Sequence, residues 1–253
     1  MRIASLVPSL TELLVALGLD AQLVARTGYC IHPEGALRDV PKVGGTKDVN
    51  LAKLRRLAPT HVLVNIDENR ADTVQALRAF VPEIVVTHPC GPEDVPALLV
   101  QMVEVFGAVA GVAERAAALR TELEHELQAT RAEQQAAADV LYLIWREPWM
   151  TVARDTYIAR MLARVGWHTV PALTGGPTGA ARYPTVRGDE PWLADVAQVL
   201  LSSEPYAFGA EHVAAAQALC PLARVRLVDG EQLSWYGVRT ASGLRYLREL
   251  SRT

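Results

Sequence analysis

The sequence predicts an α/β fold made of two doubly wound lobes with parallel sheets, joined by one long backbone helix. Short apolar runs alternate with helical patterns along the chain, which is typical of a parallel sheet covered on both faces. A single long helical segment interrupts this alternation once, at about 111–137. The two halves also resemble each other faintly, because residues 57–70 and 193–208 both run from a helix end through an apolar strand to an acidic turn.

The chain opens with a βα unit. Residues 3–7 form a short apolar run, Pro8 interrupts it, and Leu13 and Leu17 then follow helical spacing up to Gly18. None of the basic, apolar and small-residue segments of an export signal precedes the first strand. From these residues alone we expect a cytoplasmic protein.

Six further strands are predicted, three in each half. They cover residues 23–26, 61–66, 83–87, 140–145, 197–201 and 224–228. Between the halves, apolar residues spaced by three and four positions alternate with Glu, Arg and Gln, as on an amphipathic helix. We therefore expect an N-terminal lobe at 1–108, a linking helix at 109–137 and a C-terminal lobe at 138–253.

Composition excludes several classes of protein. Half of the residues are apolar and 21% are charged, as in an ordinary globular protein. The net charge of −3 argues against a nucleic-acid partner, which needs a concentrated basic surface. The most apolar long stretch, residues 96–113, is too short and too polar to span a bilayer. With three cysteines and no C-x-x-C motif, we expect reduced thiols.

Aromatic and polar residues are concentrated in the loops that follow the predicted strands, where ligands of open α/β sheets usually bind. We expect these residues to line a cleft between the lobes: Tyr29, His32, Asn65, Trp145, Trp149, Glu204, Tyr206, Trp235 and Tyr236. Rings with polar tips suit a large planar ligand, although they could instead cap the core of each lobe. On the cleft hypothesis most of the rings are accessible and Trp235 is half exposed.

Cys30-x-His32 and His88-x-Cys90 carry side chains that zinc prefers. In the common strand order 2-1-3-4, however, the two motifs follow strands about 14 Å apart, whereas zinc bonds span about 2.0–2.3 Å. We therefore expect no metal site and no cofactor of the protein's own, with His32 alone as a possible ligand to a metal inside a bound molecule. No nucleophile elbow, H-E-x-x-H motif or P-loop is present.

The chain resembles the helical-backbone metal receptor family, also called class III periplasmic binding proteins. The resemblance lies in RIASLVPSLTELLVALG, in Gly28-Tyr29-Cys30 with Pro33, in PKVGGTKDVNLAKLRRLAPTHVLV at 41–64, in the long helix and in the second lobe. It covers essentially the whole chain. It implies two lobes on a rigid helix, a ligand held between them, and service to an ABC importer for cobalamin, haem or iron siderophores.

The resemblance also implies roles for particular residues. Tyr29 and Tyr183 match aromatic residues that flank the corrin in cobalamin-binding members, and Asn65 stands where those members have a tryptophan. In the family an acidic residue on each lobe docks onto arginines of the permease. The matching positions here are Asp72 in the first lobe and Asp189 and Glu190 in the second. The family further implies a monomer in the periplasm or outside the cell.

We therefore expect a non-enzymatic protein that binds a small metal complex in the interlobe cleft. A corrinoid is the first candidate, and haem or a ferric siderophore comes next. The alternative from another class is an intracellular metal chelatase, in which His32, His88, Glu147 and Glu204 would handle protons or metal. A cytosolic tetrapyrrole carrier is a further alternative.

Overall fold

The computed structural model describes residues 1–132 and 136–253 and contains two parallel four-stranded sheets. The chain divides into two units, each with one sheet. Unit 1 comprises Met1–Pro89, Val95–Glu122 and Tyr236–Val238, and unit 2 comprises Cys90–Asp94, Leu123–Trp235 and Arg239–Thr253. The predicted α/β fold with two parallel-sheet lobes is confirmed. The predicted boundaries at 108 and 138 stay predictions.

Unit 1 holds the first four strands and most of the first six helices. The strands are β1 Ile3–Ser5, β2 Leu23–Arg26, β3 His61–Asn65 and β4 Glu83–Thr87, in the order β2-β1-β3-β4. The helices are α1 Pro8–Ala16, α2 Glu34–Leu37, α3 Leu51–Arg56, α4 Ala71–Leu77, α5 Val95–Phe106 and the first half of α6 Val112–Ala132, with a 3₁₀ turn at Asp20–Gln22. This is the strand order that was assumed above in predicting that the Cys-x-His and His-x-Cys motifs are too far apart to share a zinc ion.

Local chemistry accounts for the first βα unit. Pro8 occupies the first turn of α1, where its missing N–H would have no helical partner in any case. Leu13, Leu14 and Leu17 are fully buried, which provides the driving force for packing the helix. Gly18 follows with a φ of +78°, a conformation that glycine adopts at no steric cost, and the chain turns back towards β2.

Unit 2 holds the last four strands. They are β5 Ala138–Leu143, β6 Trp167–Thr169, β7 Gln198–Ser202 and β8 Arg224–Val228, in the order β6-β5-β7-β8. The helices are α7 Tyr157–Ala163, α8 Val213–Leu219, α9 Gly230–Ser234 and α10 Arg239–Arg252, with 3₁₀ turns at Pro92–Asp94, Ala180–Arg182, Pro191–Asp195 and Ala210–His212. The sequence did not predict β6, a three-residue edge strand.

The long helix α6 begins in unit 1 and continues into unit 2 beyond Glu122. Its 21 residues make a rod of about 32 Å at 1.5 Å per residue. Its second half is anchored by Glu126, whose buried carboxylate accepts hydrogen bonds from Arg245 and Arg248 of α10 at 2.8 and 2.7 Å. The predicted helix also covered residues 133–135, which lie outside the described residues.

No helix in the described ranges combines the length and the apolar character needed to cross a membrane. All three cysteines are free, as expected. Cys30 and Cys220 are buried, and Cys90 is partly exposed.

Candidate functional site

The candidate ligand residues lie on two separate surfaces, one in each unit. The first carboxyl edge consists of the loops after β2, β3 and β4, at residues 27–33, 66–70 and 88–89. The second carboxyl edge consists of the segments after β5, β6, β7 and β8, at residues 144–149, 170–183, 203–206 and 229–235, the last of which contains α9. Tyr236 follows the second edge in sequence but belongs to unit 1.

Tyr29 is the most exposed aromatic residue of the first carboxyl edge, at 65%. A turn at Gly44 and Gly45 supports it, since a Cβ on Gly45 would lie 3.3 Å from the Tyr29 ring. Gly44 has a φ of +103°, and a side chain there would overlap the backbone of Asp48. The V-G-G-T-K-D motif therefore builds the base on which the Tyr29 ring rests.

Asn65 ends β3 and shapes the loop that follows. Its side chain is buried, and its Oδ1 accepts hydrogen bonds from the backbone N–H groups of Asp67 at 2.8 Å and Glu68 at 3.3 Å. Its Nδ2 donates to Thr87 Oγ1 at 3.5 Å. Asn65 thus holds the loop in an Asx-type turn, and a direct contact with a ligand stays a prediction.

Ionisable groups gather around this loop. Lys47 Nζ donates to the carbonyl oxygen of Asp67 at 2.6 Å, and His88 Nε2 lies 3.3 Å from Asp67 Oδ2. Tyr236 OH donates to Glu68 Oε1 at 3.2 Å. Burial lowers the pKa of Lys47, although the two acids act in the opposite direction. Burial raises the pKa of Tyr236 well above its ordinary value, so its hydroxyl is a neutral donor.

The Cys-x-His motif lies in the loop after β2, and the His-x-Cys motif directly follows β4. Cys30 is buried, with its Sγ 3.1 Å from Thr27 Oγ1, and burial raises the pKa of its thiol. His32 is half-buried in the loop after β2. Within the described ranges, no group of three or more His, Cys, Asp or Glu residues could hold a metal ion.

A row of aromatic rings lines part of the second carboxyl edge. Trp145 is 42% exposed, and its ring contacts Tyr206 edge-on at 5.5 Å between centroids. Tyr206 packs on Phe208 at 4.7 Å, and Phe208 stacks on Trp149 at 5.9 Å. Phe208 was not predicted from the sequence, because it is the packed base of the row and lies outside the strand-end loops.

Trp235 is buried, with 6% exposed, so the expectation of a half-exposed ring is wrong. Its Nε1 donates to Glu204 Oε1 at 2.8 Å, and the Arg239 guanidinium lies 4.7 Å above its ring. These contacts hold the indole within unit 2. Tyr236, at 5%, is also buried. The other five predicted aromatic residues are at least partly exposed: Tyr29, Trp145, Trp149, Tyr183 and Tyr206.

Glu204 lies in the loop after β7. Its Oε1 accepts hydrogen bonds from Ser234 Oγ as well as from Trp235. Burial raises the pKa of Glu204 despite these two donors, and the nearby carboxylates of Glu231 and Asp229 raise it further. The side chain is therefore a fixed hydrogen-bonding group in a negative environment.

Arg182 orders the long loop that precedes Tyr183, and sequence reasoning missed it. The side chain is 1% exposed, donates to the Gly176 carbonyl at 2.7 Å and lies 3.6 Å from Asp155 Oδ2. Asp155 in turn accepts hydrogen bonds from the N–H groups of Gly175 and Gly176, both at 2.8 Å. No sequence signal marks a buried arginine in a glycine-rich segment, because its charged partner, Asp155, lies in another part of the chain.

The predicted docking acids lie beside two arginines, Arg70 in unit 1 and Arg187 in unit 2. Asp72 accepts two hydrogen bonds from Arg70, at 3.2 and 3.0 Å, which lower the pKa of Asp72. Asp189 Oδ1 lies 3.6 Å from Arg187 Nε, and Glu190 accepts from the Arg187 N–H at 2.9 Å. Asp72 and Asp189 are both exposed. The two units thus present the same Arg-x-Asp arrangement.

Comparison with known sequences links the chain to binding proteins. A family model described as periplasmic binding protein matches residues 3–184. The vitamin B12-binding protein of Pectobacterium atrosepticum is 26% identical over 169 residues, which are 65% of this chain and 60% of that protein. The vitamin B12-binding protein of Photorhabdus laumondii is 31% identical over 104 residues, which are 41% of this chain and 38% of that protein. The chain thus spans less than two thirds of the length of these relatives.

Solved structures share the fold over nearly the whole length. The periplasmic vitamin B12 binding protein BtuF of Vibrio cholerae matches with a TM-score of 0.80 at 19% identity, covering 100% of this chain and 98% of that chain. A periplasmic heme binding protein from Pseudomonas aeruginosa matches with a TM-score of 0.80 at 22% identity, covering 98% and 91%. At these identities the likeness is one of fold. Because the family model matches most of the sequence, this chain belongs to the periplasmic binding protein family.

Proposed function

We propose that this chain is the substrate-binding protein of an ABC importer and that it binds a metal-containing organic ligand. A corrinoid is the first candidate, followed by haem and then a ferric siderophore. The observation that carries the proposal is the presence of exposed aromatic rings at the carboxyl edge of each sheet, Tyr29 in unit 1 and Trp145 in unit 2.

Exposed rings at these positions favour ligand binding over core capping. Tyr29 at 65% and Trp145 at 42% leave apolar area in water, and Ile31 and Ile66 add exposed apolar side chains at 49% and 39% in unit 1. Several exposed apolar side chains on the loops of one edge favour a binding site, because large apolar groups left in water usually mark an interaction surface. Large planar ligands with polar margins, such as corrins and porphyrins, match rings that carry a polar tip.

The comparisons support the class of ligand. The two sequence relatives above are named for vitamin B12, and of the two solved structures above one is named for vitamin B12 and the other for heme. Proteins of this family bind a substrate and release it without chemical change, so we propose that the chain is not an enzyme. Family membership also favours a site of action outside the cytoplasm, whereas the expectation of a cytoplasmic protein rested on the first residues alone.

We propose that the permease docks at Asp72 in unit 1 and at Asp189 and Glu190 in unit 2. The exposure of Asp72 and Asp189 supports this role, and Glu190 is partly exposed. Because Arg70 and Arg187 already pair with the two aspartates, a permease arginine would have to displace these partners. Exposed ion pairs of this kind contribute little to stability, so such an exchange is physically easy.

The test is a titration of the purified protein with cyanocobalamin, dicyanocobinamide, haemin and a ferric siderophore, followed by calorimetry and absorbance. We expect one ligand class to bind in a 1:1 ratio and to be recovered unchanged. Tyr29→Ala and Trp145→Ala should each weaken binding about tenfold or more, because an aromatic anchor typically contributes about 2 kcal/mol.

Leu222→Ala is the matched control. Leu222 is 85% exposed and precedes β8, at the opposite end of the sheet from the second carboxyl edge, so its removal should leave affinity unchanged. Failure of all four ligands to bind would refute the proposal. Metal insertion into a free tetrapyrrole, with turnover, would instead support the chelatase alternative.

A further inference from the structure

Glu204 and the exposed Trp145 lie at the same edge of the second sheet. Glu204 follows the end of β7 by two residues, and Tyr206 continues the same loop. The Tyr206 ring contacts Trp145, whose own ring is 42% exposed. A planar ligand that packs against Trp145 therefore has its margin close to the loop that carries Glu204.

The Glu204 carboxylate is held in one orientation. Its Oε1 accepts from Ser234 Oγ and from Trp235 Nε1, and an indole N–H can only donate, so this oxygen is an acceptor. Trp235 is itself held beneath Arg239, which pairs with Glu231 at 2.7 Å. Because its anchors are fixed, Glu204 needs little ordering when a ligand binds.

The second oxygen of Glu204 is left to accept from a ligand. Among the described residues no hydrogen bond to Oε2 is found, and this atom is not one of the buried polar atoms that lack a partner. Gly230 permits the close packing behind the side chain, since a Cβ there would lie 2.7 Å from Glu204 Cγ. Oε1 is therefore held by the protein, whereas Oε2 is accessible to solvent.

The charge around Glu204 disfavours a second carboxylate. Burial raises the pKa of Glu204, and the carboxylates of Glu231 and Asp229 raise it further, so these two neighbours add negative charge around Glu204. Arg239 is already paired with Glu231 at 2.7 Å, and Arg146, on the same edge, lies 5.6 Å above the Trp149 ring and 3.8 Å from Glu147 Oε1. An anionic group brought to Glu204 would be repelled, whereas an N–H donor would form a charge-assisted hydrogen bond.

We propose that Glu204 makes the second carboxyl edge selective for ligands whose margin carries amide N–H donors and against ligands whose margin carries carboxylates. This inference rests on the function proposed above and narrows its ligand class. A corrinoid with amide side chains satisfies the requirement. A corrinoid with free acid side chains does not, and neither does haem with its propionates.

The test compares dicyanocobinamide, which carries amides, with dicyanocobyrinic acid, which carries carboxylates at the same positions, by calorimetry at pH 7.5. Wild-type protein should bind the amide form about tenfold or more tightly, the scale of one hydrogen bond to a charged group. Glu204→Gln keeps an acceptor for Trp235 and removes the charge. Glu204→Gln should reduce the ratio of the dissociation constants of the two ligands about tenfold.

Asp195→Asn is the matched control. Asp195 is exposed, lies three residues before β7 at the other end of the strand, and loses the same charge. It should leave the preference unchanged. Equal affinity of the wild type for the two corrinoids would overturn the inference while leaving the proposed function intact. The inference would also be overturned, with the proposed function intact, if Glu204→Gln kept the wild-type preference for the amide form. Tight binding of haemin that is lost in Arg146→Gln would have the same meaning. Failure of every ligand to bind would refute both proposals.

Discussion

Replacing Glu126 by Gln should destabilise unit 2 by about 2 kcal/mol. The Glu126 side chain is 6% exposed and accepts hydrogen bonds from two arginines of α10, Arg245 at 2.8 Å and Arg248 at 2.7 Å. Gln keeps one acceptor but removes the charge, so two cations lose their counter-ion inside the contact between α6 and α10. Comparing wild type with Glu126→Gln therefore tests whether this carboxylate fixes the second half of α6.

The magnitude follows from the exposure of each partner. A hydrogen bond to a charged group contributes about 1.5–3 kcal/mol when it is shielded from water. Arg248 is 15% exposed and fits this range, whereas Arg245 is 41% exposed and its bond is worth about 0.5–1 kcal/mol. Because Gln retains part of the hydrogen bonding, about 2 kcal/mol is lost. For a chain of this length that loss lowers Tm by about 4–8 °C.

The loss of stability in Glu126→Gln should be larger at pH 7 than at pH 3. Burial raises the pKa of Glu126, but the hydrogen bonds from Arg245 and Arg248 outweigh burial, and the net shift is downward. A carboxylate whose pKa is lower in the folded state stabilises the protein above its unfolded pKa of about 4.3. That stabilisation is lost as the pH falls through the folded pKa. The difference between wild type and Glu126→Gln should therefore be full at pH 7 and shrink towards pH 3.

Urea unfolding followed by circular dichroism at the two pH values measures this difference. Glu249→Gln is the matched control, because Glu249 is an exposed acid on α10 and its replacement should change the free energy of unfolding by less than about 0.5 kcal/mol. If Glu126→Gln behaves like Glu249→Gln at pH 7, or if its deficit persists at pH 3, the ion-pair explanation is refuted.

Three further predictions concern the candidate site. Trp235→Ala should lower the free energy of unfolding by about 3–5 kcal/mol, because the ring is 6% exposed, and an unchanged urea midpoint would contradict its burial. Gly44→Ala should weaken ligand binding in calorimetry, because a positive φ and a blocked Cβ position distort the turn beneath Tyr29; unchanged affinity would show that the turn does not position the ring. Arg70→Gln should raise the pKa of Asp72 towards its ordinary value in an NMR titration, because the hydrogen bonds from Arg70 are the main cause of the lowered pKa; no change would exclude the pair in solution.

Local pattern was enough to predict most strands and failed at identifiable places. The predicted strands at 23–26, 83–87 and 224–228 coincide with β2, β4 and β8, since turn residues bound their apolar runs. The fifth strand ends at Leu143 instead of 145, because Trp145 leaves the sheet to pair with Met150. The three-residue β6 is too short for any period to show, with His168 exposed at its centre.

The sequence predicted which loops carry exposed rings, but not which of the predicted rings are buried. Loops after strands are visible in the sequence, and the exposed rings of Tyr29 and Trp145 lie where the strand-end rule expects them. The same rule expected Trp235 and Tyr236 to be exposed, and both are buried. These two neighbours also belong to different units, which no local pattern could indicate.

The sequence by itself determined the α/β class, the succession of the predicted strands along the chain, the long helix and the loops in which a ligand site can form. Those features depend on hydrophobic period and turn chemistry, which are properties of residues close together in the chain. Only the tertiary structure decided which rings are buried and which acids have partners. Glu204 meets Trp235 across 31 positions, and Glu126 meets Arg248 across 122. Burial and hydrogen bonding of this kind depend on residues that only folding brings together.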